Sequence, residues 1–547
     1  MSIVENSPFE QGNIDAEICI LGEAPARTEM RYGKPLIGPS GELLDHCLHG
    51  AGIVRRELYI TNLFEHEVTK SRDGKTIKTR DGDILWVMGK GFTTLGESMT
   101  ERCVERLNAC SANVIIPLGG TALDFLYGDH RITKWRGSIL ESKRLAGRKI
   151  IPTIHPAAAL RGQFLYRYLI ASDLKRAKEE SKIPELNLPD RKLWLDPSYS
   201  EVISYLTDCL SLPRVAFDIE ILNHQVSCFS FAKDPLDCMS IPLVVDNGQD
   251  RWSLEEECEI WLLVARSMGS KTVEKIGQNI VFDIGFIFQQ MGIFTSGPIS
   301  DTMIAHHIIY PDFPKGLDFL CSMLTREPYY KDDGKLWQKP WNDLELFWRY
   351  NARDSATTFE AWIPLEEELQ AGYQEAYDMT MRMFPALLYM MTRGLKVDKE
   401  RLEETKEKVG KAIDKLDAQL IEVAEYPFNI NSPKQCQEYF YVTKGIKPYT
   451  NRKTGRPTTD DTALSRIIRK TNLPEARLVQ ELRGLNKLKG TYLDVAIDKD
   501  ERVRCSYNPR GTTTGRLSSS ATIFGTGMNL QNLHPEFKGF LVSDESM

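Results

Sequence analysis

The stretch Val215–Ile221, VAFDIEI, is a short apolar run broken by two acids, Asp218 and Glu220. The β-branched and aromatic residues around them predict a buried strand, and strand alternation puts residues i and i+2 on one face. Both carboxylates then point the same way. Two unpaired carboxylates on a buried face repel and cost several kcal/mol unless something positive lies between them, and a hard divalent cation is the usual partner. Taken alone, the pattern reads equally as a pair of strand-end acids facing solvent. Two segments downstream shift that balance. In KIGQNIVFDIGFI, Lys275–Ile287, Asp283 follows an apolar turn and opens a helical pattern. In YNARD, Tyr350 and Asp354 are four residues apart and share one face of a helix predicted between Asp343 and Glu368.

The DIE, NxxFD and YxxxD segments stand in the order, and at the domain-sized intervals, of the DEDD proofreading exonucleases that carry a tyrosine in the last motif. The chain resembles that family as it occurs attached to family A DNA polymerases. The resemblance implies a ribonuclease H-like α/β domain and a site for two Mg2+ ions, with Mn2+ as a substitute. It assigns Asp218 to both metals, Glu220 and Asp354 to one of them and Asp283 to the other, with Tyr350 orienting the nucleophilic water. Asn279, in GQN, would seat the 3′-terminal nucleotide. Asp301, in SDTMIAHHIIYP, would stand behind the site and support it. His306 and His307 are adjacent, cannot share a helix face and are expected to be structural.

With 547 residues, 42% hydrophobic and 27% charged, the chain has an ordinary globular balance and room for about three or four domains. No apolar run is long enough for a bilayer, and the N-terminus MSIVENSPFEQGN lacks the basic and apolar regions of a secretory signal, so a cytoplasmic location (host cytoplasm for a viral protein) and no membrane partner are expected. Eleven scattered cysteines without a CxxC favour reduced thiols. The net charge is −7, yet between Asn431 and Ser520 there are 18 Lys and Arg against 9 Asp and Glu. That basic excess suits phosphate contact.

Near the start, ICILG (Ile18–Gly22) runs into EAPARTEMRYGKPLIGPSGELLDHCL, a strand, a Gly- and Pro-containing loop and a helical pattern from Gly41. YITN ending in Asn62, VIIPLGG at Val114–Gly120 and KIIPTIHPAAALR with His155 follow. Alternating strands and helices predict a doubly wound sheet, whose ligands bind at the carboxyl ends of the strands. GEAPA, YITN and HPAAALR resemble the motifs of the family 4 type uracil-DNA glycosylases. By that resemblance Glu23 positions a water, Asn62 reads the Watson–Crick edge of a flipped base and His155 stabilises the departing uracil anion. Two positions depart from the family. Ala26 replaces its second glycine, and Leu36, in KPLIG, stands where its stacking phenylalanine would be. Cys103 matches at most one of the family's cluster cysteines, so no iron–sulfur cluster is expected. The segment Lys70–Gly96, rich in Gly, Asp and Lys, reads as a hairpin or loop insertion.

Charges and three prolines between Glu179 and Pro197 mark a boundary. After Gly372 the pattern is helical, with Met379, Met381, Met383, Met390 and Met391 expected as core filler. FNINSPKQCQEYF, NRKTGRPTTDDTALSRI and LVQELRGLNKLKGTYL then resemble the thumb of family A polymerases, with Arg483 and Lys487 four apart and able to face a duplex backbone. TTTGRLSSS with Arg516, followed by Asn529, Gln531 and Asn532 in NLQN, resembles the family's primer–template strip. The expectation is an α/β multidomain chain of bacteriophage type. It comprises a doubly wound glycosylase-like domain (1–182), a 3′–5′ exonuclease domain (183–375), and a mainly helical thumb with an incomplete palm (376–547). Implied partners are single-stranded 3′ ends, primer–template duplex, and a separate palm-and-fingers polypeptide, because at most one palm carboxylate, Asp544, is present. The alternatives are a non-catalytic DNA-binding subunit and a glycosylase–exonuclease repair protein.

Overall fold

The computed structural model describes residues 3–245, 248–338, 343–452, 454–522 and 524–544. They form two compact units, Met1–Met381 and Arg382–Met547. Among the described residues no helix is long and apolar enough to cross a membrane.

The first unit opens with β1 (Ile3–Ser7), β2 (Glu10–Asn13), β3 (Ile18–Gly22) and β4 (Tyr59–Asn62). A separate antiparallel sheet of β5 (Thr69–Lys70), β6 (Thr76–Lys78), β7 (Ile84–Val87) and β8 (Gly91–Phe92) is inserted before β9 (Val114–Pro117), β10 (Leu140–Glu141) and β11 (Lys149–Ile150). The seven-stranded sheet runs β1-β2-β4-β3-β9-β11-β10, parallel from β4 through β11. Its central strands ICIL, YITN and VIIP are wholly buried, as expected of parallel strands covered on both faces. One face packs Leu21, Tyr59, Ile115 and Leu123; the other packs Ile20, Ile60, Ile116, Leu48 and Ile170. The expected hairpin at 70–96 is thus a complete small sheet, anchored by the buried Ile77, Leu85 and Trp86.

The same unit continues with β12 (Lys192–Trp194), β13 (Arg214–Leu222), β14 (Gln225–Asp234), β15 (Asp237–Pro242), β16 (Glu274–Gly277) and β17 (Ile299–Asp301). Their order is β12-β15-β14-β13-β16-β17, with β13, β16 and β17 parallel and β13, β14 and β15 antiparallel. The long helix Leu344–Gln370 lies across β13, β14 and β15, its amino end capped by the Asp343 carboxylate accepting from Leu346 N at 2.9 Å. Its small buried residues Ala352, Ser355 and Ala356 permit close approach to the sheet, where Ser230 Oγ donates to the Asn351 carbonyl at 3.0 Å. His306 and His307 are both buried.

In the second unit, Lys399–Ala424, Asp461–Thr471 and Pro474–Leu488 are helices around Leu420, Tyr439, Phe440, Leu464 and Val479. A second cluster gathers Val397, Leu402, Leu493, Val503, Phe537 and Phe540. The methionines are only partly the filler expected of them. Met391 is buried, but Met390 in this unit and Met379 in the first are exposed.

Candidate exonuclease site and associated pockets

Strand β13 carries Asp218 and Glu220 to one face, as its period of two requires. The helix crossing that face brings Asp354, and carboxylate oxygens of Asp218, Glu220 and Asp354 lie within 4.8 Å of one another. Asp283 comes from the helix that follows β16. The turn after that strand is fixed by the buried Asp301 carboxylate, which accepts from Asn279 N (3.2 Å), Ile280 N (2.9 Å) and Ile304 N (3.1 Å). Asn279 takes a left-handed φ of 58° there, a conformation asparagine tolerates. The helix Val281–Met291 then starts with Asp283 in its first turn, and the Asp283 carboxylate accepts from Ile219 N on β13 at 3.1 Å. Asp283 is therefore held beside the strand but outside the 4.8 Å cluster.

Charge is costly here. Burial, with the Asp354 charge second, pushes the Asp218 carboxyl up to about 8. Burial together with Asp218 and Asp354 raises Glu220 well above the carboxylate range, and burial with Asp218 does the same to Asp283. Two side chains not expected from the sequence offset part of this repulsion. Asn351, fully buried, donates Nδ2 to Asp218 Oδ2 at 2.9 Å and accepts on Oδ1 from Ser240 Oγ at 2.9 Å. Lys331 donates Nζ to Asp354 Oδ2 at 2.5 Å and lies 4.4 Å from the centroid of the Tyr350 ring. Tyr350 stands one turn before Asp354. Its phenol is raised by burial first and by Asp354 second, which keeps it protonated.

The donor set fits a hard divalent cation: oxygen ligands only, three of them convergent, with burial penalising the charge of Asp218 and Glu220.

In the seven-stranded sheet, Glu23, Asn62 and His155 meet at the carboxyl ends of β3, β4 and the segment after β11. Asn62 is buried. Gly22 leaves room for it, since a Cβ there would sit 2.1 Å from Asn62 Oδ1. His155 caps the helix Pro156–Leu160, its Nδ1 accepting from Ala157 N at 3.2 Å. Burial lowers its pKa, with Glu23 acting in the opposite sense. Leu36 is buried with φ 50°. Glu23 is already satisfied: it accepts from Thr121 Oγ1 at 2.7 Å and pairs with Lys70 Nζ at 2.7 Å. Lys70 comes from the inserted sheet, a contact across 47 residues that no local pattern announces. Cys103 is buried in the core.

In the second unit Arg483 departs from the expected phosphate-facing role. Its guanidinium donates to the carbonyls of Ile430 and Thr459, binding one helix to two loops. Lys487, Arg516, Gln531 and Asn532 are exposed. Asn529 instead holds the strip together, accepting from Ser519 Oγ at 2.7 Å and from Gln531 N at 3.0 Å. Asp544 pairs with Arg393 and Arg502.

Comparison with known proteins follows the same division of the chain. The uracil DNA glycosylase superfamily matches residues 9–179, the 3′-5′ exonuclease family residues 200–370, and DNA polymerase family A residues 399–538. In chain order, then, the protein carries a segment similar to the uracil DNA glycosylase superfamily, a 3′-5′ exonuclease segment and a segment similar to the family A DNA polymerases. The DNA polymerase of Bacillus phage SP01 is 25% identical over 93% of this chain and 62% of its own length. DNA polymerase I of Rhizobium leguminosarum is 29% identical over 48% of this chain and 26% of its own length. The type-4 uracil-DNA glycosylase of Thermotoga maritima is 30% identical over 31% of this chain and 79% of its own length. The chain spans less than two thirds of the length of the two polymerases.

Proposed function

We propose that this polypeptide is a replication polymerase segment that removes nucleotides from single-stranded 3′ ends and binds primer–template DNA. Its domains would be a glycosylase-like domain (1–182), the exonuclease (183–375), and the thumb with the start of a palm (376–547). The observation that carries the proposal is the convergence of Asp218, Glu220 and Asp354, with burial disfavouring the charge of the first two. Two Mg2+ ions, or Mn2+, would be held by Asp218, Glu220 and Asp354 and by Asp218 and Asp283; when bound they would stabilise the attacking and leaving oxygens of phosphodiester hydrolysis. The chain's own groups do the rest. Tyr350, protonated, donates to and orients the water. Asn279, on its fixed turn, contacts the terminal nucleotide.

Lys487, Arg516, Gln531 and Asn532 support DNA contact in the second unit by their exposure and hydrogen-bonding capacity. By the family resemblance, primer extension needs a second palm carboxylate and a fingers helix; residues 1–547 alone are expected not to extend a primer, and extension by them would overturn that expectation.

The exonuclease reading is tested by following Mg2+-dependent release of nucleotides from a single-stranded 3′ end. Asp218→Ala should abolish release, a loss of several kcal/mol of transition-state stabilisation, and leave DNA binding in place. Undiminished release by that variant would refute the site.

A further inference from the structure

The segment Tyr329–Asp333, YYKDD, divides its side chains between two neighbours. Tyr330 and Lys331 turn inward. The Tyr330 hydroxyl donates to Asp354 Oδ1 at 2.6 Å and Lys331 Nζ donates to Asp354 Oδ2 at 2.5 Å, so this one segment takes both oxygens of the carboxylate. Lys331 also crosses the Tyr350 ring, and Gly334 packs so tightly beneath that ring that a Cβ there would lie 2.8 Å from it.

Tyr329 and Asp332 turn the other way, onto the glycosylase-like part of the same unit. Asp332 Oδ2 accepts from Lys134 Nζ at 2.5 Å and lies 3.6 Å from Arg131, while Tyr329 packs edge-on against Trp135 with ring centroids 5.5 Å apart. The Lys134 side chain is only 13% exposed and sits 4.6 Å from the Tyr329 ring centroid, which makes this a packed contact rather than a loose surface pair. Asp129 holds the far side of the turn through Arg131 and Trp135.

We propose that Lys331 is a positioning residue of the exonuclease site, setting Asp354 and Tyr350 in reactive register, and that the Arg131–Trp135 turn of the glycosylase-like part holds Lys331 there through Tyr329 and Asp332. This inference rests on the exonuclease reading and adds a task for the N-terminal domain that needs no chemistry in its own pocket. A carboxylate with both oxygens fixed from one segment moves when that segment moves, and displacements on the order of 1 Å at a reacting centre cost about 100-fold in rate.

The test uses the full chain, a single-stranded oligonucleotide and saturating Mg2+. Wild-type activity that is lost in Asp218→Ala establishes the exonuclease; absence of wild-type activity overturns both the reading and this inference. With activity present, Lys331→Gln is expected to lower kcat about 100-fold with KM within about twofold, and Lys331→Arg, which restores the charge, to recover at least about tenfold of the loss. Unchanged kcat in Lys331→Gln, or no recovery in Lys331→Arg, contradicts the positioning role. Lys134→Ala is expected to lower kcat about tenfold in the wild-type background and less than about twofold in the Lys331→Gln background, because the two act through one contact chain. Equal losses in both backgrounds, or none in the first, would show that the N-terminal turn does not act through Lys331. Asp332→Asn, which removes the charge and preserves shape, repeats this arm if Lys134→Ala folds poorly.

Discussion

The two acid-bearing sites of the first unit, one within β13 of the mixed sheet and one at the carboxyl end of β3, differ in how their charge is met. At Asp218, Glu220 and Asp354 three carboxylates converge with Lys331, Tyr330 and Asn351 donating to them, and burial pushes Asp218 up to about 8. At Glu23 the single carboxylate has a lysine at 2.7 Å and a threonine at 2.7 Å. The first site is left wanting a cation. The second has closed upon itself, and the side chain that closes it, Lys70, belongs to the inserted sheet. Sequence motifs of comparable quality therefore lead to sites of different readiness.

Replacing a carboxylate in the first site should have the largest consequence. Glu220→Gln is expected to reduce Mg2+-dependent hydrolysis by several kcal/mol of transition-state stabilisation, read from kcat/KM on a single-stranded substrate. The comparison would break if the variant kept wild-type activity.

Next in size is the pH dependence of stability. The Asp218 pKa is about 8 in the folded chain against an ordinary value of 3.8. As pH rises through that window the unfolded chain loses its proton while the folded chain retains it, so this group lowers stability progressively between those values. A bound divalent cation opposes the loss by favouring the ionised form. Mg2+ should accordingly raise Tm more at pH 8 than at pH 5, and Asp218→Asn should abolish the difference.

Smaller effects are expected at the self-satisfied pocket. Lys70 is exposed, so Lys70→Ala should change stability by no more than about 1 kcal/mol in thermal melts. Uracil excision from single-stranded DNA should be weak, because Leu36 offers no aromatic face, an interaction worth roughly 1–3 kcal/mol per base. Robust excision that disappears in Asn62→Ala would erase the contrast between the sites. The smallest effect concerns the second unit: Arg516→Ala should reduce the slope of log affinity against log salt for primer–template DNA by about 1.

What could be read from the sequence was what local periodicity carries. The i, i+2 pair in VAFDIEI, the i, i+4 pair in YNARD and the first-turn position of Asp283 all follow from the repeat of a strand or helix. The buried runs ICILG, YITN and VIIP likewise announce parallel strands. Contacts made across long separations were not legible. Lys331 lies in YYKDDGK, which reads as a solvated charged loop, and only the fold places it on Asp354. Lys70 begins a Gly-, Asp- and Lys-rich stretch that reads as surface, yet its ammonium reaches Glu23. Arg483 shows the converse. Its spacing from Lys487 suggested a phosphate-facing pair, but a guanidinium has five donors, and nearby loop carbonyls take three of them.

The two sites differ in their need for a cation, and calorimetric titration of Mn2+ into the metal-free chain, comparing wild type with Asp218→Asn and Glu23→Gln, measures that difference. Wild-type Mn2+ binding should be lost in Asp218→Asn and retained in Glu23→Gln. Binding that survives Asp218→Asn, or that disappears in Glu23→Gln, would contradict it.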